Sequence, residues 1–110
     1  MSVSEQPTSF TELYFSRPTV IDPGVVIGRR PQSIAYTVVN HTGAYRNYEV
    51  TVSLLVDNVT HYLTQSGLGL AVGAAAQRAV VIRPGHPGTT AELEVSIGAG
   101  QEIHLRLRFA

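Results

Sequence analysis

Four histidines, His41, His61, His86 and His104, are the side chains of this chain best suited to proton or metal chemistry near neutral pH. They stand 18 to 25 residues apart, and the chain has no cysteine, so no pair has the spacing of metal ligands held on one turn. The nearest approach to a nucleophilic constellation, His86 with Thr89 and Thr90, falls in a Pro/Gly loop without a nucleophile elbow. The pieces Gly67-Leu68-Gly69 and Gly98-Ala99-Gly100 lead into no helix and read as turn glycines, not phosphate cradles. No catalytic residue, metal-ligand set or cofactor follows from these patterns. One candidate binding surface remains, the loop from Asn40 to Arg46. Asn40, His41, Tyr45 and Arg46 are residue types that make adaptable contacts in binding loops. The loop also has a conformational reading, in which the Asn40 side chain closes a turn and Gly43 supplies a positive φ. A rival chemical reading makes His41 and His61 the loop ligands of a small metal- or ligand-binding accessory domain.

Charge narrows the function classes. Eight arginines, with no lysine, balance eight acidic residues, and a formal net charge of zero gives no general pull toward nucleic acid or anionic lipid. Arg29-Arg30 with Arg46 is the nearest thing to an anion patch, and adjacent arginines are ordinarily a solvated loop. Without cysteine there is no disulfide, which suits the cytoplasm and equally suits disulfide-free domains outside it. No apolar run reaches bilayer length, so direct membrane insertion is not expected. The opening MSVSEQPTSF lacks the basic start and apolar stretch of a secretory signal.

The elements that must position these residues are strands. At 44% apolar and 15% charged, 110 residues suffice for one globular core. Ser33–Asn40 alternates with Ile34, Tyr36 and Val38 on one face, and Asn47–Val56 with Tyr48, Val50, Val52, Leu54 and Val56 inward and Glu49, Thr51 and Ser53 outward. Such alternation predicts antiparallel sheets covered on one side, and the long span His41 to Tyr48 predicts a crossing from one sheet to the other. Further strands are expected at Phe10–Phe15, Val25–Ile27, Thr60–Gln65 and Gln77–Ile82, with a short edge segment at Val20-Ile21. The last hairpin carries Leu93, Val95 and Ile97 against Ile103, Leu105, Leu107 and Phe109. Pairing Ile97 with Ile103 keeps both sets on one face and sets Glu94 opposite Arg106 and Glu92 opposite Arg108. About seven strands at this turn spacing predict an all-β, immunoglobulin-like antiparallel β-sandwich over residues 10–110, after a flexible N-terminal segment 1–9.

The core Asn40, His41, Gly43, Asn47, Tyr48 and Val50, between "IAYTVV" and "TVSLLV", resembles the "N-H-x-G … N-Y-x-V" pattern of the domain of unknown function 1616. The looser "V-x-N … V-x-V-x-L" pattern is similar to bacterial cell-adhesion-type (CARDB-like) domains. The resemblance covers about Glu12 to Ile97 and implies a non-catalytic sandwich of prokaryotic envelope proteins, placed outside the membrane. This chain departs from that pattern in lacking a membrane segment. The expected role is an interaction or spacer module that displays loops and an edge strand to a protein partner. Self-association through an edge strand, as a structural homo-oligomer, is the other expectation.

Overall fold

Alternating side chains become strands here because each buries one face against a second sheet. The computed structural model describes residues 9–16, 25–98 and 100–109, and the expected edge segment at Val20-Ile21 and nearly all of segment 1–9 lie outside them. Among the described residues eight strands form two sheets: β1 (Phe10–Phe15), β2 (Val25–Ile27), β3 (Gln32–His41), β4 (Arg46–Val56), β5 (Val59–Leu70), β6 (Ala75–Ile82), β7 (Thr90–Ser96) and β8 (Glu102–Phe109). The smaller sheet has the order β1-β3-β6 and the larger β2-β8-β7-β4-β5. Seven strands pair antiparallel, as expected, and the short β2 adds itself parallel to β8 at one edge.

The chain does pass between sheets after His41, leaving β3 in the small sheet and entering β4 in the large one. Ile34, Tyr36 and Val38 face Val50, Val52, Leu93, Val95, Leu105 and Leu107 across the interior, and all are buried. Burying a side chain such as Leu93 or Leu107, each at 0% exposure, stabilises the fold by about 1.5–3 kcal/mol. Between β4 and β5 a two-residue turn, Asp57-Asn58, has both φ angles positive (50° and 64°), which is the type I′ geometry that matches strand twist.

Two local expectations are corrected. Gly67 and Gly69 lie inside β5, which runs on to Leu70 instead of stopping at Gln65, so they are not turn residues. A Cβ at position 69 would meet the hydroxyl of Tyr45, whose exposed ring lies over the strand there and would have to swing aside. The terminal hairpin keeps its apolar set on one face, with Leu93 opposite Leu105, but its register is displaced by two residues from the Ile97–Ile103 pairing. The turn is tighter than a five-residue loop: Ile97 N–H donates to the Gln101 carbonyl (3.1 Å) and Gln101 N–H to that of Gly98 (3.0 Å). Gly98 and Gly100 supply φ of +82° and +78°, which lets the chain reverse early. Glu94 therefore faces His104, Glu92 faces Arg106, and Arg108 faces Thr90.

Candidate functional site

The β3–β4 loop is organised by one buried amide. Asn40 ends the inward-facing series of β3 with no exposed surface, and its side chain is fully engaged. Nδ2 donates to the carbonyls of Ala44 (2.8 Å) and Leu70 (2.9 Å), while Oδ1 accepts from the N–H (2.8 Å) and Oγ1 (2.6 Å) of Thr42. Gly43 sits at φ +84° at the bend. The conformational reading of Asn40 and Gly43 is met. His41 turns away from the loop onto β1, where its ring stacks on Phe10 (centroids 4.6 Å apart) and Nε2 lies 3.1 Å from Glu12 Oε1. Tyr45, 61% exposed, and Arg46 face solvent. Of the four residues expected on this surface, the structure thus places two outward, one on β1 and one inside. Arg46 and Thr42 rim a cleft of about 420 Å³ at this end of the sandwich, whose floor includes Tyr48 and Gln101.

A second polar surface comes from register alone. Cross-strand pairing aligns rows on the outer face of the large sheet: Gln65, Thr51, Ser96 and Glu102 in one, Tyr62, Ser53, Glu94 and His104 in the next. The β5 side of this face is concave, with Thr60, Tyr62 and Gln65 among its lining. Ser53 is on the outward side as expected, yet only 6% exposed. His104 lies between two carboxylates, Nδ1 3.6 Å from Glu92 and Nε2 3.7 Å from Glu102. Glu94 is held above the ordinary carboxylate range, chiefly by its hydrogen bond with Glu102, then by burial and by repulsion from Glu102, with His104 opposing.

The row order decides its chemistry. A serine nucleophile needs the imidazole next to it and the acid behind. Here Glu94 stands between Ser53 and His104, which are two strand spacings apart, about 9–10 Å, so His104 cannot take the serine proton. Ligand atoms of Glu94, Glu102 and His104 lie within 4.8 Å of one another, the arrangement among the described residues nearest to a cation site. It is an exposed patch in which one imidazole answers several carboxylates.

The rival histidines do not meet. Leu70 at the end of β5 touches Asn40, and His61 lies nine residues back along that strand, about 30 Å away from His41. The Glu94–Glu102–His104 group was not legible in the sequence, because the expected Ile97–Ile103 register gave Glu94 Arg106 as its partner. The closely spaced Gly98 and Gly100 were the signal for a tighter turn. Among the described residues no helix is long and apolar enough to cross a membrane.

No family model matches the chain, and no curated protein matches it either. Solved structures do resemble it in fold. A β-glucosidase from Listeria innocua in complex with glucose superposes with a TM-score of 0.71 at 10% identity over 93% of this chain and 16% of its own. The β-glucosidase EmGH1 from Erythrobacter marinus gives 0.67 at 9% identity, again over 93% of this chain and 16% of its own. The chain therefore spans about one sixth of the length of these enzymes, and the likeness is one of architecture.

Proposed function

We propose that this chain is a non-catalytic accessory module that presents an edge strand and a loop to a protein partner. The observation that carries this reading is β5. Its residues Val59 to Gly67 are all exposed, among the described residues it bonds in its sheet to β4 alone, and it contains no Arg, Lys, Asp, Glu or Pro. Natural edge strands are commonly blunted by such residues, because a row of free N–H and C=O groups accepts another strand. The rigid sandwich also holds Tyr45 and Arg46 outward at the end of the β3–β4 loop. The solved neighbours support an accessory role, since the same architecture occurs there as a small part of much longer chains. Following the resemblance to the domain of unknown function 1616 and to CARDB-like domains, we place the module outside the membrane of a prokaryotic envelope.

A photo-reactive phenylalanine at Tyr62 or Tyr45 should give a discrete protein adduct in the envelope fraction of cells producing the chain. The same group at Ser33, exposed on the small sheet, should not. Adducts from Ser33 alone, or only in the cytosol, refute the proposal.

A further inference from the structure

We infer that the concave outer face of β4 and β5 binds a neutral oligosaccharide, laid along the strands between Tyr62 and Tyr45. The inference goes beyond the edge-strand reading and does not depend on it. An edge is read through backbone groups in the plane of the sheet, whereas a ligand on the face meets side chains. Both tyrosines stand on this face. Tyr62 is opposite Ser53 in the β4–β5 ladder, and 74% of its surface is open. The Tyr45 ring lies over Gly69, which is opposite Asn47, and the Tyr45 hydroxyl is 3.4 Å from Asn47 Oδ1. Asn47 and Ser53 are six residues apart on the same side of β4, so the two rings flank about 20 Å of strand. An exposed tyrosine offers a flat apolar surface with a polar tip. A sugar ring presents the complement, a C–H face with a rim of hydroxyls.

Between the tyrosines the surface is low and hydrogen-bonding. The cavity beside Tyr62 has a volume of about 590 Å³ and is walled by the hydroxyls of Thr51, Ser53, Thr60 and Ser96, the Gln65 amide and the Glu94 carboxylate. Hydroxyls and amides both donate and accept, so they match a ligand whose own groups do the same. Gly67 extends the floor toward Tyr45. It lies within β5 opposite Glu49, and a Cβ there would meet nothing within 4 Å. Among the described residues neither packing nor a positive φ calls for glycine at this position, and glycine weakens a strand. Close approach of a ligand gives it a role.

Charge and polarity exclude the other ligand classes. Among the described residues no Arg, Lys or His lines the cavity, so a phosphate or uronate chain would meet Glu94, and further along Glu49, without a counter-charge. Those two carboxylates stand about 14 Å apart in the ladder, too far to clamp one ammonium group. A purely apolar ligand would bury the wall of hydroxyls without partners.

The test is an amide-detected NMR titration with neutral hexasaccharides of glucose, xylose and mannose, and with a hexagalacturonate as the charged control. At least one neutral chain should shift the amides around Thr51, Ser53, Gln65 and Gly67, with millimolar or tighter affinity, and the hexagalacturonate should bind more weakly. Tyr62→Ala and Gln65→Ala should each weaken that binding about tenfold with the rest of the amide spectrum retained. Tyr62→Phe, which keeps the ring, should hold most of the affinity. Tyr14→Ala, at an exposed position of the small sheet, should leave it unchanged. The inference is overturned if no neutral hexasaccharide shifts these amides, if the shifts fall on another surface, if the hexagalacturonate binds more tightly, or if Tyr62→Ala binds as well as the parent chain. None of these results bears on the edge-strand reading, which is judged by its protein adduct.

Discussion

Replacing Asn40 should do more damage than any other single polar change in the β3–β4 region, and the structure sets the size. The side chain joins three pieces of chain: the loop through Thr42 and Ala44, the end of β5 through Leu70, and β3 itself. The backbone of Asn40 adds bonds to Ala74 (3.0 Å) and Gly73 (2.8 Å) that do not depend on the side chain. In Asn40→Ala the bond to the Leu70 carbonyl is lost in a buried place, which costs about 1–3 kcal/mol for the orphaned acceptor. The bonds to Ala44 and Thr42 are partly open to water, and losing them adds about 0.5–1.5 kcal/mol in total once water substitutes. The expected loss is therefore about 1.5–4.5 kcal/mol, read as a lower urea midpoint at unchanged m-value.

Asn40→Asp sharpens the test, because it puts an acceptor oxygen where the amide nitrogen donates to two carbonyls. A carboxylate would set a negative oxygen 2.8–2.9 Å from two carbonyl oxygens, so it should cost more than alanine at neutral pH. The folded-state pKa of that aspartate would lie above its unfolded value. The variant should accordingly regain stability as pH falls through the raised pKa toward the unfolded one, while Asn40→Ala shows no such gain relative to wild type. An Asn40→Ala cost below about 1 kcal/mol, or an aspartate variant as stable as alanine at pH 7, would refute the assigned role of this amide.

Other predictions follow from single contacts. Glu94→Gln should remove a carboxylate whose raised pKa means that stability is lost as pH climbs through it. The variant should show a flatter pH–stability profile and a gain of a few tenths of a kcal/mol at neutral pH and low salt, the site being largely solvent-screened. Leu93→Ala should cost about 2–5 kcal/mol in urea unfolding, against less than about 1 kcal/mol for Leu55→Ala on the outer face. Gly98→Ala forces φ +82° on a residue with a Cβ and should cost about 1–2 kcal/mol, measured by the thermal midpoint. Gly69→Ala should push the exposed Tyr45 ring off β5, seen as loss of Tyr45 ring contacts to residue 69 by NMR, with little change in stability because that ring is free to swing out.

What the sequence made legible is the part governed by period two. Alternation in Ser33–Asn40 and Asn47–Val56 reports a buried face whichever strand lies beside it, so the two-sheet core and the crossing after His41 were readable from those residues alone. Pairing partners are less constrained. A slip of two residues keeps every apolar side chain of β7 and β8 inward, so burial cannot choose between the register expected and the one found. Cross-strand charges were the tie-breaker, and they favoured two Glu–Arg pairs. Turn closure at Gly98 and Gly100 decided otherwise, because backbone hydrogen bonds formed at the reversal outweigh exposed ion pairs worth about 0.2–1 kcal/mol each.

The same limit applies to β5. Glycine at 67 and 69 reads as turn because nothing local reveals that Tyr45, more than twenty residues earlier, lies across the strand, nor that Arg78 covers its outer carbonyl. Both contacts are long-range: one rests a loop side chain on the strand, the other occupies one outward carbonyl of its edge. The chemistry of this surface is set by which residues are opposed across strands. A loop two residues shorter, or a single arginine moved along β6, would present a different edge from nearly the same composition.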